Sequence, residues 1–153
     1  MTGVEWVQAG PVTICEKGKP RFPKVPKSPG LYRIRLADGR LYIGQAKDLR
    51  RRLGDYRHPT KGNEGEHVIQ HEIKAAKGGS VDIFVGESVA DPKPRIALER
   101  AEIAAAIARG EPLLNDDAPA SADRLRSKIR HHERQIEMLR ASLAKIEEQA
   151  VGS

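Results

Sequence analysis

A pair of short apolar segments around a tight turn constrains the fold more than any other part of this sequence. Leu31 to Leu36 alternates apolar and basic residues, an Asp-Gly pair follows, and Leu41 to Ile43 is apolar again. Alternation with a period of two is typical of a half-buried strand, and Asp-Gly between two such runs is typical of a β-hairpin. We therefore predict a hairpin that carries Tyr32 and Tyr42 on paired strands, close to one surface.

A short basic helix is expected directly after the hairpin. Asp48 is a suitable N-cap for a helix over residues 49–56, on which Arg52 and Tyr56 lie four residues apart and share one face. Residues 45–61 contain six basic and two acidic side chains. This concentration of positive charge beside the tyrosines favours a partner that carries phosphates.

The residues that follow predict two further helices and a strand. Apolar residues at helical spacing predict a helix over 66–77, and an alanine-rich segment predicts another over 94–109, with proline near its first turn and glycine after its end. Between them, residues 80–89 are expected to form a strand with three apolar side chains on one side: Val81, Ile83 and Val85.

The first 27 residues are rich in proline. Proline at this density disfavours a helix and a central strand, so we expect an arm that packs on the domain, with a short strand from Val12 to Cys15. Trp6 is the expected anchor, because so large an aromatic side chain usually buries most of its area. The alternative is that the basic residues of the arm contact DNA.

A heptad pattern marks residues 121–150. Large and mostly apolar side chains recur at alternating spacings of four and three: Leu125, Ile129, His132, Ile136, Leu139, Leu143, Ile146 and Ala150. We predict a coiled-coil helix, capped by Ser121 after a hinge at 116–120, and the residue types at a and d are typical of a parallel homodimer. The alternative is a helix that folds back on its own domain. Its basic residues are candidate DNA contacts: Arg124, Arg126, Lys128, Arg130 and Arg134.

Composition narrows the functional classes. The 27 Lys and Arg exceed the 21 Asp and Glu, giving a formal net charge of +6 that favours an anionic partner, although a basic protein without such a partner has the same balance. The single cysteine, Cys15, excludes an internal disulfide. The sequence has no apolar run long enough for a membrane span and no signal-like start. We therefore expect a cytoplasmic protein without a membrane partner.

Short motifs occur in a fixed order in the central part of the chain. Gly30-Leu31-Tyr32 is followed ten residues later by Tyr42-Ile43-Gly44, then by Arg52, by Leu98-Glu99-Arg100 and by Pro112-Leu113-Leu114-Asn115. Their order and spacing resemble the GIY-YIG endonuclease family, which includes homing endonucleases, some restriction enzymes and the first nuclease domain of the bacterial excision-repair incision subunit. Leucine replaces the family's isoleucine in the first motif.

The resemblance implies a fold and an activity. It implies an α+β domain over residues 28–116, a small twisted antiparallel β-sheet with packed helices. The arm at 1–27 and the hinge and coiled-coil helix at 117–153 lie outside the resemblance and are expected from their own sequence patterns. The resemblance further implies an endonuclease that acts on DNA and depends on Mg²⁺ (or Mn²⁺). The alternatives are a module of the same fold that binds nucleic acid without cleaving it, dimerised by the C-terminal helix, and an interaction protein organised by its coiled coil.

The resemblance also implies roles for individual residues. Tyr42 or Tyr32, with a pKa lowered by nearby cations, would accept or relay a proton of the attacking water, Arg52 would bind the phosphate and Glu99 would hold the metal. Nucleic-acid contacts are expected from Gln45, Lys47, Arg50, Arg51, Tyr56 and Arg57. Tyr56 is also a candidate buttress of the site, and the expected supporting residues are Gly30, Gly44 and Asn115.

Several of these roles have alternatives. Glu102 fits the metal site better than Glu99 if the distance to Asn115 is given more weight, and the tyrosines would otherwise simply pack on the sheet. Arg52 would otherwise pair with Asp48 on the helix surface. Asn115 is expected to tie the end of the domain to the sheet, or else to be an ordinary turn residue. Gln45 stands where repair-type relatives often have lysine, so one cationic contact is missing there.

Overall fold

The computed structural model of the protein describes residues 4–115 and 122–151, which fall into two compact units divided between residues 118 and 119. The first unit contains strands, helices and a short 3-10 turn, and the second is one helix. In chain order the elements are β1 (Val7–Ile14), β2 (Pro20–Arg21), β3 (Gly30–Leu36), β4 (Leu41–Ala46), α1 (Leu49–Arg57), α2 (Glu64–Ala75), β5 (Gly79–Phe84), the 3-10 turn (Glu87–Val89), α3 (Pro92–Ala108) and α4 (Ala122–Val151).

The strands form one antiparallel sheet in the order β2-β1-β5-β3-β4. The predicted hairpin is confirmed, and in its register Tyr32 lies opposite Gly44 while Ile34 lies opposite Tyr42. Tyr32 and Tyr42 are therefore diagonal neighbours on one face of the sheet. With helices packed on this sheet, the predicted α+β fold is confirmed as well.

The N-terminal segment is part of the sheet, although its prolines argued against this. β1 pairs with β5 over most of its length and with the short β2 at its end. Pro11 is tolerated because β2 does not extend opposite it, and an unpaired strand edge does not need every backbone N–H. A strand is confirmed in this segment, but its predicted bounds of Val12 to Cys15 and the separate arm are wrong, since the strand begins earlier and belongs to the sheet.

Helices cover both faces of the sheet. Because successive residues of β4 point to opposite sides, this strand contributes side chains to the packing on each face. On the face of Tyr32, α1 and α2 complete the main core, whose fully buried members include Tyr32, Ile34, Leu36, Leu49, Leu53, Tyr56 and Ile73. On the other face, Ile103 and Ala106 of α3 pack on Ile43 of β4. Burial of each such aliphatic side chain contributes about 1.5–3 kcal/mol, so the two layers fix the sheet between them.

Trp6 anchors the N-terminal segment, as its size predicts. Its ring packs at the edge of the cluster formed by β4 and α3, and its Nε1 donates a hydrogen bond to Glu102 at 3.3 Å. The Arg33 guanidinium lies 4.6 Å from the centre of the same ring, in cation–π contact.

The starts of α1 and α2 are fixed by side-chain caps. Asp48 caps α1 as predicted, accepting a hydrogen bond from the Arg51 backbone N–H. α2 begins at Glu64, earlier than the predicted residue 66, because Asn63 accepts a hydrogen bond from the Glu66 backbone N–H. Each cap satisfies a backbone donor that the helix itself leaves unpaired.

The strand predicted over residues 80–89 is shorter than expected. β5 ends at Phe84, and the 3-10 turn leads from there into α3. Val81 and Ile83 are buried on one side as predicted, but Val85 lies beyond the strand and is 42% exposed. The prediction was wrong for Val85 because the apolar alternation continues after the backbone has left the sheet.

Asn115 ties the end of the first unit to the edge of the sheet. Its Oδ1 accepts a hydrogen bond from the Ile43 backbone N–H at 3.0 Å, and its Nδ2 donates one to the Ile43 carbonyl at 2.5 Å. Leu41 of the same strand exchanges backbone hydrogen bonds with Pro112 and Leu114. The segment therefore covers the outer edge of β4, which confirms the predicted role of Asn115.

The second unit is the long helix α4, as the heptad pattern predicts. Its side chains are described for residues 129–150, where the apolar positions of the pattern are exposed: Ile129, Ile136, Leu139, Leu143 and Ile146. The predicted hinge at 116–120 and the Ser121 cap lie outside the described residues.

We predict that Asn115→Ala lowers the free energy of unfolding by about 2–4 kcal/mol, because it leaves two buried backbone groups of Ile43 without partners. Urea denaturation measures this change. Asn63→Ala is the matched control, since it removes only an exposed helix cap and should cost about 1 kcal/mol. Equal losses from the two substitutions would contradict the role given to Asn115.

Candidate active site

The three tyrosines of the chain meet on one face of the sheet. The ring centres of Tyr32, Tyr42 and Tyr56 lie 6.0–6.1 Å apart in every pair. The hydroxyls of Tyr32 and Tyr56 share a hydrogen bond of 2.5 Å. The hairpin supplies two of these rings and α1 the third, so the predicted convergence of Tyr32 and Tyr42 is confirmed and Tyr56 buttresses both.

Two motif glycines leave space that the packing of the hairpin needs, and Gly44 does so for the tyrosine cluster itself. A Cβ atom at Gly44 would collide with the Tyr32 ring, which lies directly across that position of the neighbouring strand. A Cβ atom at Gly30 would approach the Phe84 carbonyl oxygen to 2.6 Å and the Leu49 side chain to 2.9 Å. Glycine is required at both places because of close packing rather than unusual backbone angles.

The tyrosines differ in their access to solvent. Tyr32 and Tyr56 are 1% and 0% exposed, whereas Tyr42 is only half-buried. Burial, reinforced by the neighbouring phenols, raises the pKa of Tyr32 and of Tyr56 well above the ordinary value. The expectation that nearby cations lower the tyrosine pKa is therefore wrong for Tyr32, since the lost hydration outweighs the Arg52 charge.

Arg52 lies over this cluster, held by acidic residues. Its guanidinium carbon is 4.8 Å from the centre of the Tyr56 ring, which confirms the shared helix face. Its Nη1 donates a hydrogen bond to Glu66 at 2.6 Å and forms an ion pair with Asp55 at 3.5 Å. The alternative in which Arg52 pairs with Asp48 is wrong: the Asp48 carboxylate caps α1, and Arg52 pairs with Glu66 and Asp55 instead. Burial opposes the charge, but the neighbouring phenols and Glu66 outweigh it and raise the pKa of Arg52.

Glu66 is a buried carboxylate that sequence reasoning missed. Its second oxygen accepts a hydrogen bond from the Thr60 backbone N–H at 2.8 Å, and the residue is 2% exposed. Burial alone would raise the pKa of Glu66, but the hydrogen bonds from Thr60 and Arg52 hold it below the usual value. A signal was present, since Asn63 and Glu66 have the spacing of a capping box. The partner of Glu66 depends on the fold, and the motif did not reveal it.

An open cleft of about 580 Å³ lies beside the site. Basic side chains outnumber acidic ones along its walls, which are formed by Lys27, Gln45, Ala46, Lys47, Asp48, Arg51, Arg52, Asp55 and Arg95. Lys47 and Arg51 are exposed there, as a role in nucleic-acid contact requires. The cleft therefore presents positive charge next to Arg52.

Three of the predicted nucleic-acid contacts lie elsewhere. Tyr56 is wrong as such a contact, because its side chain is fully buried. Arg50 donates a hydrogen bond to the Val25 carbonyl and Arg57 to the Pro20 carbonyl. Neither arginine lines the cleft. Both instead hold the N-terminal segment against α1.

Arg95 is a second residue that the sequence did not single out. It is 4% exposed, and its Nε donates a hydrogen bond to Gln45 Oε1 at 2.7 Å while Nη1 donates to the carbonyls of Val89 and Ala90. A cation therefore does approach Gln45, but it comes from α3 on the other side of the sheet. No motif predicted this contact, because the two residues are fifty positions apart.

The two candidate metal ligands lie on one stripe of α3. Arg95, Glu99, Glu102 and Ala106 follow at spacings of four, three and four, so they share the helix face that packs on the sheet. Glu102 is 3% exposed and accepts the hydrogen bond from Trp6, whereas Glu99 is half-buried and one turn from Arg95. Within residues 4–115 and 122–151, no group of three or more His, Cys, Asp or Glu is arranged to hold a metal ion.

Comparisons with known proteins agree with this geometry. Residues 28–104 match the family model of the GIY-YIG catalytic domain, about half of the chain. Over 113 residues, or 72% of the chain, the sequence is 34% identical to the UvrABC system protein C of Rhodopseudomonas palustris (strain BisB18). That match spans 15% of the length of this relative. No solved structure matches the chain significantly.

We predict that Glu66→Gln destabilises the protein in a pH-dependent way. Because the pKa of Glu66 is lowered by folding, its contribution is present above the unfolded pKa of about 4.3 and disappears as the pH falls through the lower folded value. Urea denaturation at pH 7 should show a loss on the order of 2 kcal/mol relative to the unsubstituted protein, shrinking below pH 4.

The matched control is Glu64→Gln, which changes an exposed carboxylate on the same turn of α2. It should leave the free energy of unfolding within about 0.5 kcal/mol at every pH. A Glu66→Gln effect that stays constant between pH 7 and pH 3 would contradict the assignment of a charged, hydrogen-bonded Glu66.

Proposed function

This chain belongs to the GIY-YIG family, and from that premise we propose that it is a metal-dependent endonuclease that hydrolyses phosphodiester bonds of DNA. The family match supports nuclease activity in general. The observation that carries the proposal is the packing of Tyr42 and Arg52 against the same Tyr56 ring, beside a basic cleft. A phenol and a guanidinium thus stand together where a phosphate backbone would be attracted.

Arg52 would bind the scissile phosphate. Both of its ion pairs within the described residues use Nη1. A guanidinium has five N–H donors in a planar fork, which matches the non-bridging oxygens of a phosphate. Its raised pKa keeps it charged throughout the working range. A charged donor fixed by Glu66 before the substrate arrives stabilises developing negative charge without further rearrangement.

Tyr42 is the better candidate for proton transfer. It is partly accessible, whereas Tyr32 is buried, donates or accepts its hydrogen bond with Tyr56, and has a pKa raised by burial. Tyr42 would accept or relay a proton from the attacking water, while Tyr32 and Tyr56 hold its ring in position. Accessibility therefore favours Tyr42 over Tyr32, the two residues between which the sequence left the choice open.

Glu99 would hold the metal, Mg²⁺ or Mn²⁺, with Glu102 as the second choice. One accessible carboxylate fits Mg²⁺, which keeps several waters and takes its remaining oxygens from a phosphate. Glu102 fits less well because it is buried against Trp6. When bound, the ion would supply charge neutralisation at the phosphate and polarise a bound water.

The proposal extends to location and assembly. A cytoplasmic location agrees with the single cysteine, which leaves no internal disulfide to form. None of the helices among the described residues has the length and apolar content of a membrane span. Self-association through residues 121–150 would cover the exposed apolar positions of α4.

We predict nicking of supercoiled plasmid at low salt with Mg²⁺ or Mn²⁺ and none with EDTA. Tyr42→Phe and Arg52→Ala should each lower the rate at least about 100-fold, because each removes a group that acts in the transition state. Glu99→Gln should abolish metal-dependent cleavage, whereas Glu102→Gln should retain most of it. Gel electrophoresis of plasmid forms over time measures all of these rates.

Controls separate loss of chemistry from loss of fold. Arg109→Ala and Glu87→Gln change exposed residues outside the cleft and should leave nicking unchanged. Urea denaturation of each variant shows whether the domain is intact. Plasmid that remains intact under all metal conditions, while gel shifts show binding, would replace the nuclease with a nucleic-acid-binding module of the same fold.

We also predict that Lys47→Ala and Arg51→Ala weaken binding to duplex DNA and each reduce the slope of log K against log salt concentration by about 1, since each removes a phosphate contact. Fluorescence anisotropy with a labelled duplex between 50 and 200 mM salt measures affinity and slope. Lys74→Ala is the matched control on the exposed face of α2. An unchanged slope in the cleft variants would mean that the DNA binds to a surface outside this cleft.

A further inference from the structure

The exposed side of α4 carries a line of large aliphatic side chains that is suited to packing against a second helix. Ile136, Leu139, Leu143 and Ile146 follow at spacings of three, four and three, and all are 47% or more exposed. In the heptad these are the a and d positions, which are buried when a second helix packs alongside. Exposure of so many large aliphatic side chains in one line indicates a surface that is covered in solution.

The positions that flank this seam carry charges of alternating sign. With Ile136 at a and Leu139 at d, the e positions between residues 129 and 150 are Glu133, Arg140 and Glu147, whereas the g positions in that range are neutral. The neutral g residues are Gln135, Ser142 and Gln149. Most of the charges that can select a partner therefore lie at e positions, and the one charged g residue of α4 is Lys128.

A second copy in the opposite direction satisfies these charges. When Ile136 faces Leu139 of the second helix, the a positions of each helix meet d positions of the other, and e meets e. In this register Glu133 faces Arg140 of the second copy, and Arg140 faces its Glu133. Each pair is attractive because its charges are opposite, and the two-fold symmetry of the dimer forms the pair twice.

The parallel arrangement has less of this complementarity, because only Glu133 would meet an opposite charge there, at Lys128, whereas the antiparallel register also sets Arg126 against Glu147. There each e position faces a g position of the partner, so Arg140 meets Gln135 and Glu147 meets Ser142. His132 at d would also face its own copy in the core, whereas the antiparallel register sets it against Leu143. In the sequence, residues 122–136 hold five basic and two acidic residues, and residues 137–151 hold two basic and three acidic ones. Opposite directions thus bring the basic half against the more acidic half.

We propose that α4 pairs with α4 of a second copy of this chain as an antiparallel coiled coil. The a and d residues alone are typical of a parallel pair, but the flanking charges outweigh that preference. This inference rests on the self-association included in the proposed function and deepens it by fixing the direction. It is independent of nuclease activity.

Charge reversal in the full chain tests the pairing. Sedimentation equilibrium should show a dimer for the unsubstituted protein, with Glu133→Arg and Arg140→Glu each raising the dimer dissociation constant about fivefold or more, since two pairs become repulsive. The double variant should return to the original value, because the antiparallel register pairs these two positions with each other. Glu137→Arg, the same change at an exposed position beyond the e and g positions, should have no effect.

Disulfide cross-linking tests the direction independently. In a Cys15→Ser background, Ile129→Cys mixed with Ile146→Cys should yield mainly the mixed disulfide, because these positions face each other in the antiparallel register. A monomer at micromolar concentration would overturn both the self-association and its direction. A dimer with efficient cross-links between two copies of Ile129→Cys, or a double charge variant that is not restored, would overturn the antiparallel arrangement alone.

Discussion

The fit of the Tyr32 ring over Gly44 is the contact on which the rest of the site depends. Because position 44 has no Cβ, the ring crosses the neighbouring strand and its hydroxyl reaches Tyr56 on α1. Tyr56 in turn supports the guanidinium of Arg52, which also donates a hydrogen bond to Glu66 of α2. A single missing side chain on β4 thus allows a continuous line of contacts from the sheet through α1 to α2.

Local features of this fold were predictable because they depend on neighbours in the sequence. The hairpin, the Asp48 cap and the shared face of Arg52 and Tyr56 all follow from spacings of a few residues. Long-range contacts were not predictable in the same way. Glu66 and Arg95 find their partners through the packing of whole helices, and no spacing encodes it.

The N-terminal segment also shows that local sequence features do not reveal long-range pairing. Its prolines predict an appendage, but pairing with β5 supplies backbone hydrogen bonds that local preference does not include. Two arginines of the basic helix secure this segment through carbonyls, at Val25 and Pro20. Positive charge near the motif is therefore divided between holding the fold together and lining the cleft. The composition predicted only the basic residues that line the cleft, and not those that hold the N-terminal segment.

The position of Trp6 gives the domain an optical label of its own. It is the single tryptophan of the chain, and its indole contacts both Arg33 on the sheet and Glu102 on α3. Its emission therefore reports the seating of α3 on the sheet, one turn away from Glu99 on the same helix stripe. Events at that stripe become visible in the protein's intrinsic fluorescence without any added dye.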